Sequence, residues 1–300
     1  MVLPRPVAKA EILNRSHMHS LIKKIKYSAL SYTFYDLFLK LRADRAKAFI
    51  FVATTGRTGS TSLRTIFGGL PRCASFHEPY PLMANRCPPG VDRNRYYRDQ
   101  FFRRKLPMIR MASLGRDYYV ETSHQFVKHF AEYAIEALGS RIRILHLVRE
   151  PIKVASSFFS LNSIPGISSR GQKYLLDPAA EDNIIRIDDL LSQQPFSHDF
   201  FRCVWYWYEV EARIKRLKKN HPHLKWHYMQ TGDLNRPEAL DAMFRSFELP
   251  LTIGNGVSSP VTENLKTERK IRHLASPEAQ AMHQLLLERM EARYGPSFWR

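Results

Sequence analysis

Two glycines, an arginine and a run of hydroxyl side chains stand together at Gly56-Arg57-Thr58-Gly59-Ser60-Thr61-Ser62. Such a set can hold a phosphate-sized anion. Gly56 and Gly59 permit a backbone that a side chain would block, so that main-chain N–H groups can converge on an oxygen. Arg57 adds a planar cation that is never deprotonated, and Ser60 and Thr61 add hydroxyl donors. A second set follows about ninety residues later, where Arg149 precedes Glu150-Pro151 and Ser157 stands eight positions beyond it. Arg149 and Ser157 could jointly hold a second phosphate. Between the two sets, His77 and Glu78 offer an imidazole and a carboxylate, side chains able to take a proton from a hydroxyl. Glu121 and His124 form a further pair of that kind.

Chemistry of this sort requires elements that hold it in place. Apolar Phe49 to Ala53 reads as a strand covered on both faces of a parallel sheet, running into a helix that opens at Ser60. The free N–H groups and positive end of that helix favour an anion. The turn is not a Walker A loop, because Gly59 is followed by Ser60 where that motif needs lysine. Ile142 to Val148 suits an interior strand, with Arg149 at its carboxyl end and Pro151 in the first turn of the next helix. Cys73 to Phe76 is a short strand that delivers His77 and Glu78 to the carboxyl edge, where open α/β sheets bind ligands. Tyr118 to Glu121 as a strand, His124 to Leu138 as an amphipathic helix and the Ile142 strand make a βαβ unit. Glu121 then lies at the same edge, although a helix cap from Thr122 or Ser123 is the plainer account of that turn. Phe200 to Lys218 reads as a helix, Leu224 to Met229 as the next strand, and a last helix starts near Pro277.

In order, spacing and strand-to-helix context, these two sets resemble the PAPS-dependent sulfotransferases, whose donor is 3′-phosphoadenosine 5′-phosphosulfate. Gly56 to Leu63 is similar to the family's 5′-phosphosulfate loop, and Arg149 with Ser157 to its 3′-phosphate motif. The resemblance covers about residues 47 to 250 and is nearer to the bacterial and carbohydrate-type branch. It implies a three-layer α/β fold, with a central, mostly parallel sheet, a P-loop-like phosphosulfate turn and helices on both faces. It further implies that Arg57, Thr58, Gly59, Ser60, Thr61, Ser62, Arg149 and Ser157 bind PAPS or its product PAP, that no metal is required, and that Glu78 is the catalytic base. His77 is its rival, and Arg57, standing where the family more often has lysine, assists by charge. Thr231-Gly232 departs from the family's turn after the last strand and leaves only Asp233-Leu234. Trp205 and Trp207 read as core aromatics rather than partners of the adenine. The cations of Asn264 to Lys270 could close over the 3′-phosphate or form a solvated turn.

Composition sets the outer bounds. The chain has 300 residues, 44% of them hydrophobic, which suits one α/β domain from residue 47 to 300 behind a basic helical extension over 1–46. Its 46 basic and 28 acidic residues give a net charge of +18. That field concentrates anions, polyanions and anionic membranes alike. Three scattered cysteines build neither a disulfide framework nor a zinc site and favour a reducing, cytoplasmic setting. Met18 to Leu41 carries apolar residues at near-helical spacing broken by lysines, so it is expected to pack on the core, on a second subunit in a homo-oligomer, or on a membrane surface over residues 18–42, without spanning it. Residues 79–116, rich in proline and arginine, read as an insertion, either an acceptor-binding lid or a solvated basic loop region. The resemblance to family members with a glutamate base implies the hydroxyl of a glycan or glycolipid as acceptor, and no nucleic acid is expected as partner. A phosphotransferase with a divergent P-loop and a non-catalytic polyanion-binding protein are the alternatives.

Overall fold

A computed structural model describes residues 46–250, 272–296 and 298–299. The amino-terminal extension with its 18–42 segment, and the 264–270 stretch, lie outside the described residues. Within the described residues five strands, β1 (Ala48–Ala53), β2 (Cys73–Phe76), β3 (Tyr118–Glu121), β4 (Ile142–Val148) and β5 (Lys225–Gln230), pair side by side in the order β2-β3-β1-β4-β5. Every pairing is parallel. Among the described residues ten helices accompany them: α1 (Ser60–Gly68), α2 (Arg93–Gln100), α3 (Leu106–Ala112), α4 (Ala131–Leu138), α5 (Pro151–Ser160), α6 (Ser169–Tyr174), α7 (Asp188–Leu191), α8 (Asp199–Asn220), α9 (Pro237–Ser246) and α10 (Ser276–Tyr294).

The alternation of side chains along each strand divides the interior in two. Ala48, Ile50 and Val52 of β1 join Val120, Leu145 and Leu147 against α1 and α9, through Leu63, Phe67, Leu240, Met243 and Phe244. Phe49, Phe51 and Ala53 face the other way, with Tyr119, Ile142 and Ile144, into a larger layer that includes α5, α8 and α10. Because β1 is central and buried on both faces, its run is apolar throughout. The architecture is the three-layer α/β fold expected, with helices on both faces of the sheet.

Two expectations are corrected. The arginine- and proline-rich stretch is not a solvated loop: from Arg93 to Ala112 it is helical, α2 and α3 being joined by one π turn at Phe101–Lys105. Its Tyr97, Phe101, Leu106 and Ile109 are buried in the larger core layer, which outweighs the polar composition of the rest. Asp92 caps α2 by accepting from the N–H groups of Asn94 and Arg95. Its arginines find local partners, Arg98 making a bidentate pair with Glu136 and Arg104 donating to the Tyr80 hydroxyl. The second correction concerns the segment after β3. A π turn at Phe126–Phe130 precedes the regular helix, which starts only at Ala131, so His124 stands in the turn leaving the sheet and not on an α-helix.

No helix among the described residues is long and apolar enough to cross a membrane. They include no group of three or more His, Cys, Asp or Glu side chains placed to hold a metal ion.

Candidate active site

The glycine-rich turn leaves the carboxyl end of β1 and coils through the left-handed region, with φ at 86° for Gly56, 62° for Arg57 and 89° for Gly59. Hydroxyls hold this coil from within. Thr54 Oγ1 and Thr58 Oγ1 are 2.6 Å apart, and Thr55 Oγ1 donates to Gly56 O at 3.0 Å. Gly59 is required twice over, because a Cβ there would lie 2.8 Å from Leu234 Cδ1 and would need the same positive φ. From Gly59 the chain enters α1, so Ser60, Thr61 and Ser62 form its first turn. Anions are favoured at such a helix start. Across the sheet edge, Thr231 Oγ1 is within bonding distance of two carbonyls, Thr58 O at 2.9 Å and Val148 O at 3.2 Å, and so ties the loop to the end of β4.

The second set is bonded directly to the first. Arg149, just past β4, donates from Nη1 to Arg57 O at 2.9 Å, while Arg57 Nε donates to Ser157 Oγ on α5 at 2.9 Å. Two stretches about a hundred positions apart are therefore one piece of structure. Trp207 of α8 completes the support by donating Nε1 to Arg149 O at 2.9 Å, and Trp205 donates to Ile185 O, so both indoles are buried core groups. Burial lowers the Arg149 pKa, as does the nearby Arg57 charge, against the opposing effect of Glu150. The guanidinium remains a cation.

The carboxylate flank lies at the ends of β2 and β3. Glu78 sits with φ at 47°, and its Oε1 is 3.1 Å from Nε2 of His124. The His124 ring lies over the phosphate-type loop itself, since a Cβ on Gly56 would be 3.3 Å from its Cγ and Nδ1. His77 turns away: its Nδ1 lies 2.8 Å from Thr122 O and 3.1 Å from Thr122 Oγ1, which occupies that nitrogen. Behind His124, Lys128 Nζ is 3.0 Å from Nδ1 and also donates to Tyr174 O and, at 3.2 Å, to the Tyr206 hydroxyl. Tyr206 in turn donates to Thr55 O at 3.0 Å, returning the chain of bonds to the loop.

Charge is arranged accordingly. Burial alone would raise the Glu78 pKa, but the His124 hydrogen bond and the charges of His124, His77 and Lys128 prevail and bring it down to about 2. For His124, burial is the largest cause, reinforced by Lys128 and opposed by Glu78, and the pKa falls to about 4. At neutral pH the pair is thus a carboxylate beside a neutral imidazole. Glu121 is placed differently from the sequence-based expectation of a second base. It is fully buried, 2.7 Å from Lys105 Nζ, and accepts from the Tyr119 hydroxyl at 2.7 Å. That pair props the turn after β2, because Lys105 Nζ also donates to Pro79 O at 3.1 Å.

The geometry therefore gathers Arg57, Arg149 and Ser157 at the ends of β1 and β4, and Glu78 with His124 beside Gly56. It leaves His77 held at Thr122 and Glu121 sealed in the core. Lys128 and Tyr206 escape sequence reasoning altogether, while Trp207 reads there only as a core aromatic and Thr231 only as a departure from the family's turn. Thr231 had a visible signal, a hydroxyl directly after a strand at the binding edge; the others are recognised only by what folds against them.

No protein-family model matches the chain, and no curated protein matches it. Among solved structures it is similar to the "Sulfotransferase Domain from the Curacin Biosynthetic Pathway", with 15% identity and a TM-score of 0.44 over 81% of this chain and 98% of that one. It is also similar to a sulfotransferase from Alicyclobacillus acidocaldarius, with 13% identity and a TM-score of 0.44 over 85% of this chain and 99% of that one. At such identities the likeness assigns no residue a role.

Proposed function

We propose that the chain is a sulfotransferase that moves a sulfuryl group from PAPS to a hydroxyl of an acceptor, with a glycan or glycolipid as the preferred class. The observation that carries this reading is the bonded contact between the two anion sets, Arg149 to Arg57 O and Arg57 to Ser157, with a carboxylate on the flank of the same loop. A donor with phosphate groups at both its 5′ and 3′ positions is the ligand such a paired site suits. The first turn of α1 and the Arg57 guanidinium would hold the phosphosulfate, and Arg149 with the Ser157 hydroxyl would hold the 3′-phosphate that ATP lacks.

In the transfer, the acceptor oxygen forms a bond to sulfur as the bond from sulfur to the 5′-phosphate oxygen breaks, and PAP leaves. The acceptor proton passes to Glu78. Charge growing on the departing phosphate is met by Arg57 and the loop amides, which are already in place before reaction. Arg57 acts by charge alone, since a guanidinium does not give up a proton at working pH.

Thermal shifts with PAP, with ADP and with ATP plus magnesium test the reading. Ligand at about 100 times its dissociation constant adds roughly 2.7 kcal/mol to stability, so PAP alone should raise the melting temperature clearly. Arg149→Ala should weaken PAP by roughly 1.5–3 kcal/mol, the range for hydrogen bonds to charged groups, or about 10- to 150-fold. Stabilisation by ATP with magnesium and not by PAP would replace this reading with that of a phosphotransferase.

A further inference from the structure

We infer that Lys128 is a positioning residue that keeps His124 in its Nε2–H tautomer, and that this leaves Glu78, not His124, to receive the acceptor proton. The role assigned to Glu78 rests on the sulfuryl-transfer reading; the tautomer does not.

Counting protons from either end gives the same assignment. Tyr206 gives its hydroxyl proton to Thr55 O, so towards Lys128 it can only accept. Tyr174 O is a carbonyl and can only accept. The third partner of Nζ is His124 Nδ1 at 3.0 Å; burial lowers the Lys128 pKa and the Glu78 carboxylate opposes that, and as an ammonium the group spends one proton on each of the three. Nδ1 must then carry a lone pair, and the ring proton sits on Nε2. From the other end, Glu78 Oε1 lies 3.1 Å from Nε2, and a carboxylate beside a bare nitrogen lone pair would be repelled. A proton on Nε2 removes that repulsion. Gln125 Nε2 stands 3.0 Å from the same ring nitrogen; an amide nitrogen only donates, so beside Nε2–H it makes no hydrogen bond there and gives a proton to Tyr174 O at 3.2 Å.

Around His124, Glu78 and His77 come from the turn after β2, Lys128 from the π turn, and Tyr206 and Arg213 from α8, Arg213 acting on Lys128 by charge. His129, buried on the π turn, acts on His124 and Lys128 by charge. Lys128 is only 6% exposed, so little water reaches its Nζ. With its one unprotonated nitrogen taken by Lys128, His124 offers no lone pair to a substrate hydroxyl. Glu78 retains its second oxygen for that purpose, while His124 orients the first.

Nitrogen-15 NMR of the histidine side chains in the full chain tests the tautomer directly and needs no substrate. The expected spectrum for His124 has a protonated Nε2 and an unprotonated Nδ1, and in Lys128→Met the ring should lose this single form. A wild-type ring protonated on Nδ1 overturns the inference, as does a variant that folds with an unchanged His124 spectrum. Turnover is read as sulfate release from PAPS to water, the smallest hydroxyl acceptor. Glu78→Gln should fall by about 100-fold or more, the scale of a lost general base. His124→Gln and Lys128→Met should each fall by about 10- to 100-fold, as for groups that orient a reacting residue. Lys128→Met combined with His124→Gln should be no worse than His124→Gln alone, and independent losses would refute the coupling. Absence of any release or PAP binding in the wild type would remove the sulfuryl reading while the NMR result still decides Lys128.

Discussion

Replacing Lys105 with methionine tests how the turn that carries Glu78 is held. Lys105 is 1% exposed, and its ammonium lies 2.7 Å from Glu121 Oε1 and 3.1 Å from Pro79 O. Burial lowers the Lys105 pKa, and Glu121 is the main influence restoring it. Methionine fills a similar volume but leaves Glu121 in the core with only the Tyr119 hydroxyl at 2.7 Å to compensate its charge. Breaking one side of a buried pair costs about 3–5 kcal/mol, because the remaining charge is uncompensated. At roughly 2 °C per kcal/mol for a chain of this size, the melting temperature should fall by about 6–10 °C. Lys105→Met with Glu121→Leu should recover most of that loss, since apolar replacement of both partners is often close to neutral. Urea denaturation followed by circular dichroism at pH 7, with the three proteins in parallel, measures these differences. A single variant costing less than about 1 kcal/mol, or a double variant less stable than the single, would refute the assignment of Glu121 as a structural carboxylate. PAP affinity of the double variant should match the wild type, because Arg57, Arg149 and Ser157 are supported from elsewhere.

Acid stability should respond to Glu78 and His124 in separate windows. The folded Glu78 pKa of about 2 lies below its ordinary 4.5, so its contribution is complete above about 4.5 and is lost as pH falls towards 2. For His124, lowered to about 4 from 6.5, the unfolded chain binds the proton first, so stability rises with pH between those values. Denaturation across pH should show Glu78→Gln flattening the lower window and His124→Gln the upper; identical profiles in all three proteins would contradict the coupling. Gly59→Ala should lower stability by about 1–3 kcal/mol through its forced positive φ, with additional displacement of Leu234, and should weaken PAP in the same titration. A stable variant with unaltered PAP binding would show that the loop needs neither glycine nor this conformation.

Much of this was legible in local pattern. The strand limits at Cys73–Phe76, Tyr118–Glu121 and Ile142–Val148 follow from short apolar runs bounded by turn residues, and the structure has them at those positions. Gly56, Gly59 and Pro151 marked strand-to-helix turns because their backbone demands are intrinsic. The helices over 93–112 were obscured because four buried side chains, Tyr97, Phe101, Leu106 and Ile109, are scattered among arginines that draw attention to charge. His124 was assigned to a helix because apolar spacing continues through the π turn, which sequence periodicity does not register. Lys128 was invisible for a deeper reason. Its partners Tyr174 and Tyr206 lie 46 and 78 positions away, and only the fold makes a buried lysine meaningful.

The division of the interior by the sheet has a consequence for how this protein can change. Leu234, α1 and α9 brace the glycine turn from one face, whereas Lys105, Glu121 and the helices over 93–112 brace the Glu78 turn from the other. One five-stranded sheet stands between these supports. Substitutions distant from one another with no shared partners add independently. The 93–112 helices can therefore exchange exposed side chains without disturbing the contacts of Arg57 and Arg149. Only the exposed positions of the 93–112 helices are insulated in this way, because His124, Lys128 and Tyr206 bond the Glu78 turn to the glycine turn and a change at any of them reaches both.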